Sequence, residues 1–103
     1  MDEISIIRLV SGEEIIAALS ISNGFLNLKK PAVVIIQTEP NGKSSIGLVD
    51  YLMLAEKKEI FISSKDVLCT YTPNANIKNA YNSMFGSDLV VANPVGNILP
   101  FSK

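Results

Sequence analysis

Ile60-Phe61-Ile62-Ser63-Ser64-Lys65-Asp66-Val67-Leu68-Cys69-Thr70-Tyr71 reads as a strand, a short polar break and a second strand. β-Branched and aromatic residues crowd both runs, as strands require. The two runs, Glu59 to Ser63 and Asp66 to Thr72, are apolar on both faces.

Upstream, the signals are also those of a sheet. Ile4 to Val10 is apolar on both faces except at Arg8, and Ser11-Gly12 makes a turn. Glu14 to Ile21 alternates, with Ile15, Ala17, Leu19 and Ile21 sharing one face. Asn23-Gly24 is a two-residue hairpin signal, because both residues tolerate the positive φ of a type I′ turn. Phe25 to Lys29 forms a third strand, interrupted at Pro31 and resumed from Ala32 to Thr38. That pattern predicts one long strand bent at the proline, or an edge. After the Pro40-Asn41-Gly42 turn, Ser45 to Leu54 is predicted as a strand with Ile46, Leu48, Leu52 and Leu54 on one face. Asp50 lies on that apolar face, as a strand-end or interface carboxylate or as a site acid. Ala55 to Lys58 is a turn or bulge.

Downstream of Tyr71 the chain changes character. Pro73 ends the sheet, and Asn74 is a suitable N-cap for a helix over residues 75–85. Ile77, Ala80, Tyr81 and Met84 form its apolar stripe, and Gly86 is the stop. Residues 87–103 contain Pro94, Gly96 and Pro100 among apolar residues, which predicts a tail that is disordered or docked on a neighbouring subunit. The expected organisation is one domain, with a β-barrel over residues 1–72 and the helix and tail over 73–103. Short hairpins on a bent sheet favour a small barrel, which removes exposed edges.

Composition narrows the function. The chain has 103 residues, of which 48% are apolar and 18% charged. The charged share is low for a soluble surface and is explained either by cover from other subunits or by a Ser/Asn-rich monomer. A net charge of −1 lacks the basic excess of nucleic-acid binders. There is no histidine and one cysteine, which removes internal disulfides, Cys/His zinc sites and histidine triads. Cys69 reads as a small core hydrophobe, and a lone thiol points to a reducing, cytoplasmic setting. No apolar run is long enough to cross a membrane. Gly12, Gly24 and Gly42 are isolated turn glycines. Glu13 and Glu14 point to opposite faces, and Ser63 and Ser64 lack an activating base. Enzymatic activity and a bound cofactor are therefore not expected. Abundant Ile, Asn, Lys and Ser suit an AT-rich genome, compatible with a phage or marine microbial source.

Two stretches carry a family resemblance. Ile7-Arg8-Leu9-Val10-Ser11-Gly12-Glu13-Glu14-Ile15-Ile16-Ala17-Ala18-Leu19 resembles the opening strand, glycine turn and second strand of the Sm-like (LSm) proteins, which include the bacterial host-factor RNA chaperones. Ile60 to Tyr71 resembles the last two strands of that family around its Arg-Gly loop. The resemblance covers roughly residues 4–72. It implies a strongly bent, five-stranded Sm-like/SH3-like small barrel, here with a C-terminal helix. It further implies a homo-oligomeric ring, built by pairing the fourth strand of one subunit with the fifth of the next. Ile60, Phe61, Ile62, Val67, Leu68 and Cys69 would then lie at the subunit interface.

Family members hold single-stranded RNA between two loops. In this chain Ser63-Ser64 replaces the Arg-Gly pair, so the base-stacking arginine is absent. Phe25 could stack a base and Asn27 could hydrogen-bond its edge, with Ser63, Ser64 and Lys65 beside them. The alternative for Phe25 and Asn27 is a core aromatic and a turn asparagine. Two readings follow, a protein-binding scaffold ring or a divergent RNA-binding ring with Lys29, Lys30 and Lys65 at phosphates. Charge and motif favour the first. A monomeric SH3-like barrel is the remaining one.

Overall fold

The computed structural model describes residues 3–85 and the backbone of residues 97–100. Among the described residues it is mainly β, with seven antiparallel strands and one α-helix. In chain order these are β1 (Glu3–Leu9), β2 (Glu14–Ser22), β3 (Phe25–Thr38), β4 (Ser44–Asp50), β5 (Glu59–Ser63), β6 (Val67–Tyr71), α1 (Ala75–Phe85) and β7 (Asn97–Pro100). A single 3-10 turn, Ser64–Asp66, separates β5 from β6. The sheet runs β6-β1-β2-β3-β4-β7, and β5 also pairs with β3.

Local chemistry sets the hairpins. Gly12 sits at φ +100°, and Asn23 and Gly24 at +51° and +81°, as a type I′ turn demands. At Gly42 φ is +90°, and Asn41 Oδ1 accepts the Lys43 N–H at 2.9 Å, closing the turn between β3 and β4.

The predicted interruption at Pro31 is a bulge inside one 14-residue strand. Ile16 pairs with Ala32 and Ala18 with Lys29, so Lys30 and Pro31 together face Ala17. Lys30 adopts φ +53°, a left-handed conformation unusual for lysine. Its surroundings enforce it. Lys30 N–H donates to the Lys58 carbonyl at 2.7 Å, and its own carbonyl accepts the Tyr81 hydroxyl at 2.8 Å. Far from being an edge, β3 is the centre of the sheet. Its first half pairs with β5 (Lys29 with Glu59) and its second with β4 (Ala32 with Asp50), both on the side away from β2. β4 and β5 are thus two halves of one ribbon, split by residues 51–58.

Consecutive residues on β1 and β2 are buried on opposite faces. Ile7, Ile15, Ala17, Leu19, Leu26 and Leu28 form one cluster, onto which Leu9, Tyr51, Ile60, Ile62 and Val67 pack. Both β5 and β6 contribute to it, so the sheet curls around this interior. Ile6, Ile16, Ala32, Ile46 and Leu48 form the other cluster, capped by Ile77, Ala80 and Tyr81 of α1. Burying each large side chain of that helix stabilises the fold by about 1.5–3 kcal/mol. Asn74 caps α1 as expected, with its Oδ1 accepting the Ile77 N–H at 3.0 Å. The Tyr81 hydroxyl reaches the carbonyls of Lys29 (3.1 Å) and Lys30 (2.8 Å), latching α1 to the bulge. Burial pushes the Tyr81 phenol up to about 12.

Four expectations need correction. Among the described residues seven strands are present instead of five, and their order does not close back on itself, so the sheet is open. The strand expected to reach Leu54 ends at Asp50, where the Asp50 carboxylate turns the chain by accepting the Leu52 N–H at 2.9 Å. Leu54 is therefore 99% exposed instead of sharing a face with Ile46 and Leu48. Ile21 continues the alternation of β2 but lies beyond the core and is exposed. Finally, part of the tail pairs with its own chain, with Ile98 opposite Gly47 and Leu99 opposite Ile46. Gly86 and the rest of residues 87–103 lie outside the described residues.

Candidate functional site

Residues opposite one another on antiparallel strands share a face. The pairs Ser22 with Phe25, Ser20 with Asn27, Phe25 with Ser63 and Asn27 with Phe61 therefore build one outer surface of β2, β3 and β5. An open cleft of about 390 Å³ lies in this surface, lined by Ser22, Asn23, Phe25, Asn27 and Phe61. Phe25 and Phe61 are 52% and 65% exposed. They stand diagonally across two strands, roughly 7–8 Å apart at Cα, within reach of one shared ligand. Asn27 Nδ2 donates to Glu59 Oε2 at 2.8 Å, fixing the orientation of the amide.

The hairpin and the polar break meet at this corner. Ser64 N–H donates to the Gly24 carbonyl at 2.9 Å. Ser63 Oγ accepts the Lys65 N–H at 3.2 Å and so caps the 3-10 turn. Phe25, Asn27, Ser63 and Ser64 are thus brought together, and Lys65 follows on the exposed turn. Phe25 is a surface aromatic, not a core one. Two contributors were not singled out for this site: Phe61 as the second aromatic wall, and Glu59 as the partner of Asn27. Both follow from alternation back from Ser63, but only once β5 is set beside the first half of β3.

The residues expected at an interface divide into two groups. Ile60, Ile62 and Val67 turn into the chain's own interior. Phe61, Leu68 and Cys69 are exposed, with Leu68 at 63%. Cys69 is therefore not the core hydrophobe its alternating context predicted. It lies on β6 opposite Arg8, a position that faces solvent. β6 pairs only with β1 and β5 only with β3, so among the described residues each leaves one backbone edge unpaired.

A polar cluster ties β6 to the sheet. Arg8 binds Glu14 Oε2 through Nε at 2.7 Å and also through Nη2, and the Tyr71 hydroxyl donates to the same oxygen at 3.3 Å. The hydrogen bond and charge of Glu14 raise the Arg8 guanidinium above its ordinary range. Burial, and then the Glu14 charge, raise the Tyr71 phenol. Asp50 takes the strand-end role, pairing with Lys58 at 3.0 Å.

The cleft offers two aromatic surfaces, an oriented amide and serine hydroxyls. That set can hold a flat or apolar group, and its lining residues include no nucleophile paired with a base. Among the described residues no helix is long and apolar enough to cross a membrane. No protein-family model and no curated protein matches this chain.

Proposed function

We propose that the chain is a non-enzymatic, Sm-like module that assembles with copies of itself into a ring and serves as a structural, protein-binding scaffold. The observation that carries this reading is the pair of edges on β5 and β6 that bear no further strand among the described residues. They lie on opposite borders of a curled sheet and belong to one subunit. An unpaired edge is a template for another strand. A subunit with one such edge on each border can pair head to tail, and a fixed rotation per step closes the chain of subunits into a ring. The exposed apolar residues of those strands, Phe61 and Leu68, would be covered in that arrangement. The Sm-like reading is further supported by topology. Counting β4 and β5 as one ribbon along β3, and setting aside β7 from the tail, leaves five ribbons in the order β6-β1-β2-β3-β4/β5.

Native mass spectrometry of the untagged protein tests this. Species of several 11.1 kDa subunits are expected. Phe61→Lys, which places a charge on the β5 edge, should dissociate them while leaving the subunit folded. A wild-type protein that stays monomeric at all concentrations defeats the reading.

A second reading, single-stranded RNA binding, is favoured by the Phe25/Phe61 cleft alone, since exposed aromatics on a sheet are stacking platforms for bases. Glu59 at its border and the absent arginine weigh against it. If it holds, retained mass is removed by ribonuclease, and affinity for an oligouridine falls steeply with salt.

A further inference from the structure

Residues 51–58, which split the β4/β5 ribbon, form an exposed apolar feature held by many hydrogen bonds. The neck is closed from both sides. Asp50 accepts the Leu52 N–H at 2.9 Å and pairs with Lys58 at 3.0 Å, and Lys58 Nζ also binds the Leu52 carbonyl. Ala55 N–H donates to that same carbonyl at 2.9 Å. Tyr51 N–H donates to the Pro31 carbonyl at 2.9 Å, and the Lys58 carbonyl accepts the Lys30 N–H at 2.7 Å. The bulge thus anchors both ends of the loop. At its tip Met53 and Leu54 are 49% and 99% exposed. A floppy loop can fold its apolar residues back onto its own surface, whereas these bonds hold this tip out.

We propose that this loop is an intersubunit clasp whose Met53–Leu54 tip docks on a second copy of the chain, against Tyr71 and Thr72 at the end of β6. The inference rests on the edge-paired assembly proposed above and adds to it a contact made by neither edge. Its direction follows from strand geometry. Every pairing in this sheet is antiparallel. If β5 pairs with a neighbour's β6 in the same sense and the two five-residue strands overlap in full, Glu59 comes beside Tyr71 and Ser63 beside Val67. The loop hangs from the Glu59 end of β5, so its tip lies over the neighbour's Tyr71 end. Tyr71 is 42% exposed and is held in place by its bond to Glu14. Each copy therefore presents a fixed apolar tip on one border of its sheet and a fixed aromatic surface on the other.

The test compares wild type with a Met53→Ser/Leu54→Ser variant by sedimentation and native mass spectrometry across a concentration series. Because the tip is exposed in the subunit, the variant should unfold at the wild-type temperature when both are diluted to monomer. Its assembly should weaken by about tenfold or more, as expected when two apolar side chains lose their burial. Unchanged assembly overturns the clasp while leaving the edge-paired ring standing. A monomeric wild type overturns both. Cysteine pairs read the direction in a Cys69→Ser background. Leu54→Cys with Thr72→Cys should give covalently linked subunits on oxidation, and linkage of Leu54→Cys to Leu68→Cys instead would overturn the antiparallel placement.

Discussion

β4 and β5 run along the same neighbour, β3, in the same direction, yet their outer borders differ. The β4 border is covered by β7 from the chain's own tail, with Ser45 to Leu48 paired against Pro100 to Asn97. The β5 border, only a loop away, carries no strand among the described residues. The difference teaches that the tail covers one half of the β4/β5 ribbon and not, among the described residues, the other. A bare edge on a short strand beside an exposed phenylalanine is otherwise an aggregation hazard. Its persistence among the described residues, next to a protected edge, is the observation behind the proposed assembly.

The comparison breaks most severely at the strand both halves share. Leu28 of β3 is fully buried. Leu28→Ala should cost about 3 kcal/mol, read by chemical denaturation, and should remove support from both borders at once. Removing residues 97–103 strips β7 from the β4 border and leaves the β5 border as it is. Net hydrogen-bond values predict a loss of about 2 kcal/mol, and the newly bare edge should drive concentration-dependent association in sedimentation. If truncation leaves both properties unchanged, β7 is not what protects β4.

Smaller effects sharpen the role of the bulge that separates the halves. Tyr81→Phe removes the latch between α1 and the bulge and should cost about 1 kcal/mol near neutral pH. Its pH signature is more specific. The phenol is raised from 10.0 to about 12 by folding. The unfolded chain therefore releases that proton first as pH rises. The corresponding stability is complete below about pH 10 and is lost as pH climbs towards about 12. In alkaline denaturation Tyr81→Phe should lack this component, and an identical decline in both proteins would count against the latch. The smallest change has the opposite sign. Lys30→Gly relieves a left-handed lysine and should raise stability by up to about 1 kcal/mol in thermal unfolding. A clear destabilisation would mean that the Lys30 side chain, whose Nζ lies 3.5 Å from the Phe85 carbonyl, matters more than its backbone.

Features that depend on neighbours in sequence were legible in it. Asn23-Gly24, Gly12 and Gly42 marked turns through their φ requirements, and Asn74 with the Ile77, Ala80, Tyr81 stripe placed α1 at its observed bounds. Features decided by distant partners were not. Leu52 and Leu54 continued the alternation of β4 on paper, but Asp50 ends that strand by pairing with Lys58 eight residues on. Cys69 alternated like a core residue, yet β6 sits at the border of the sheet and sets Cys69 beside the exposed Arg8. The cleft was half legible. Phe25 and Asn27 stood out beside the hairpin, whereas Phe61 and Glu59 join them only through the pairing of β5 with β3.

The position of α1 also bears on how the chain is made. Ile6, Ile16, Ala32, Ile46 and Leu48 come from the first half of the sequence, but the helix residues that cover them lie at 77–81. During synthesis, strands β1 to β4 exist before the helix and β7 are available. Their apolar face and the β4 border stay open for that interval, and β1 waits some sixty residues for β6. Such long-range closure is slow and leaves an aggregation-prone intermediate. The yield of this protein in a host should therefore depend on how promptly its last thirty residues are delivered.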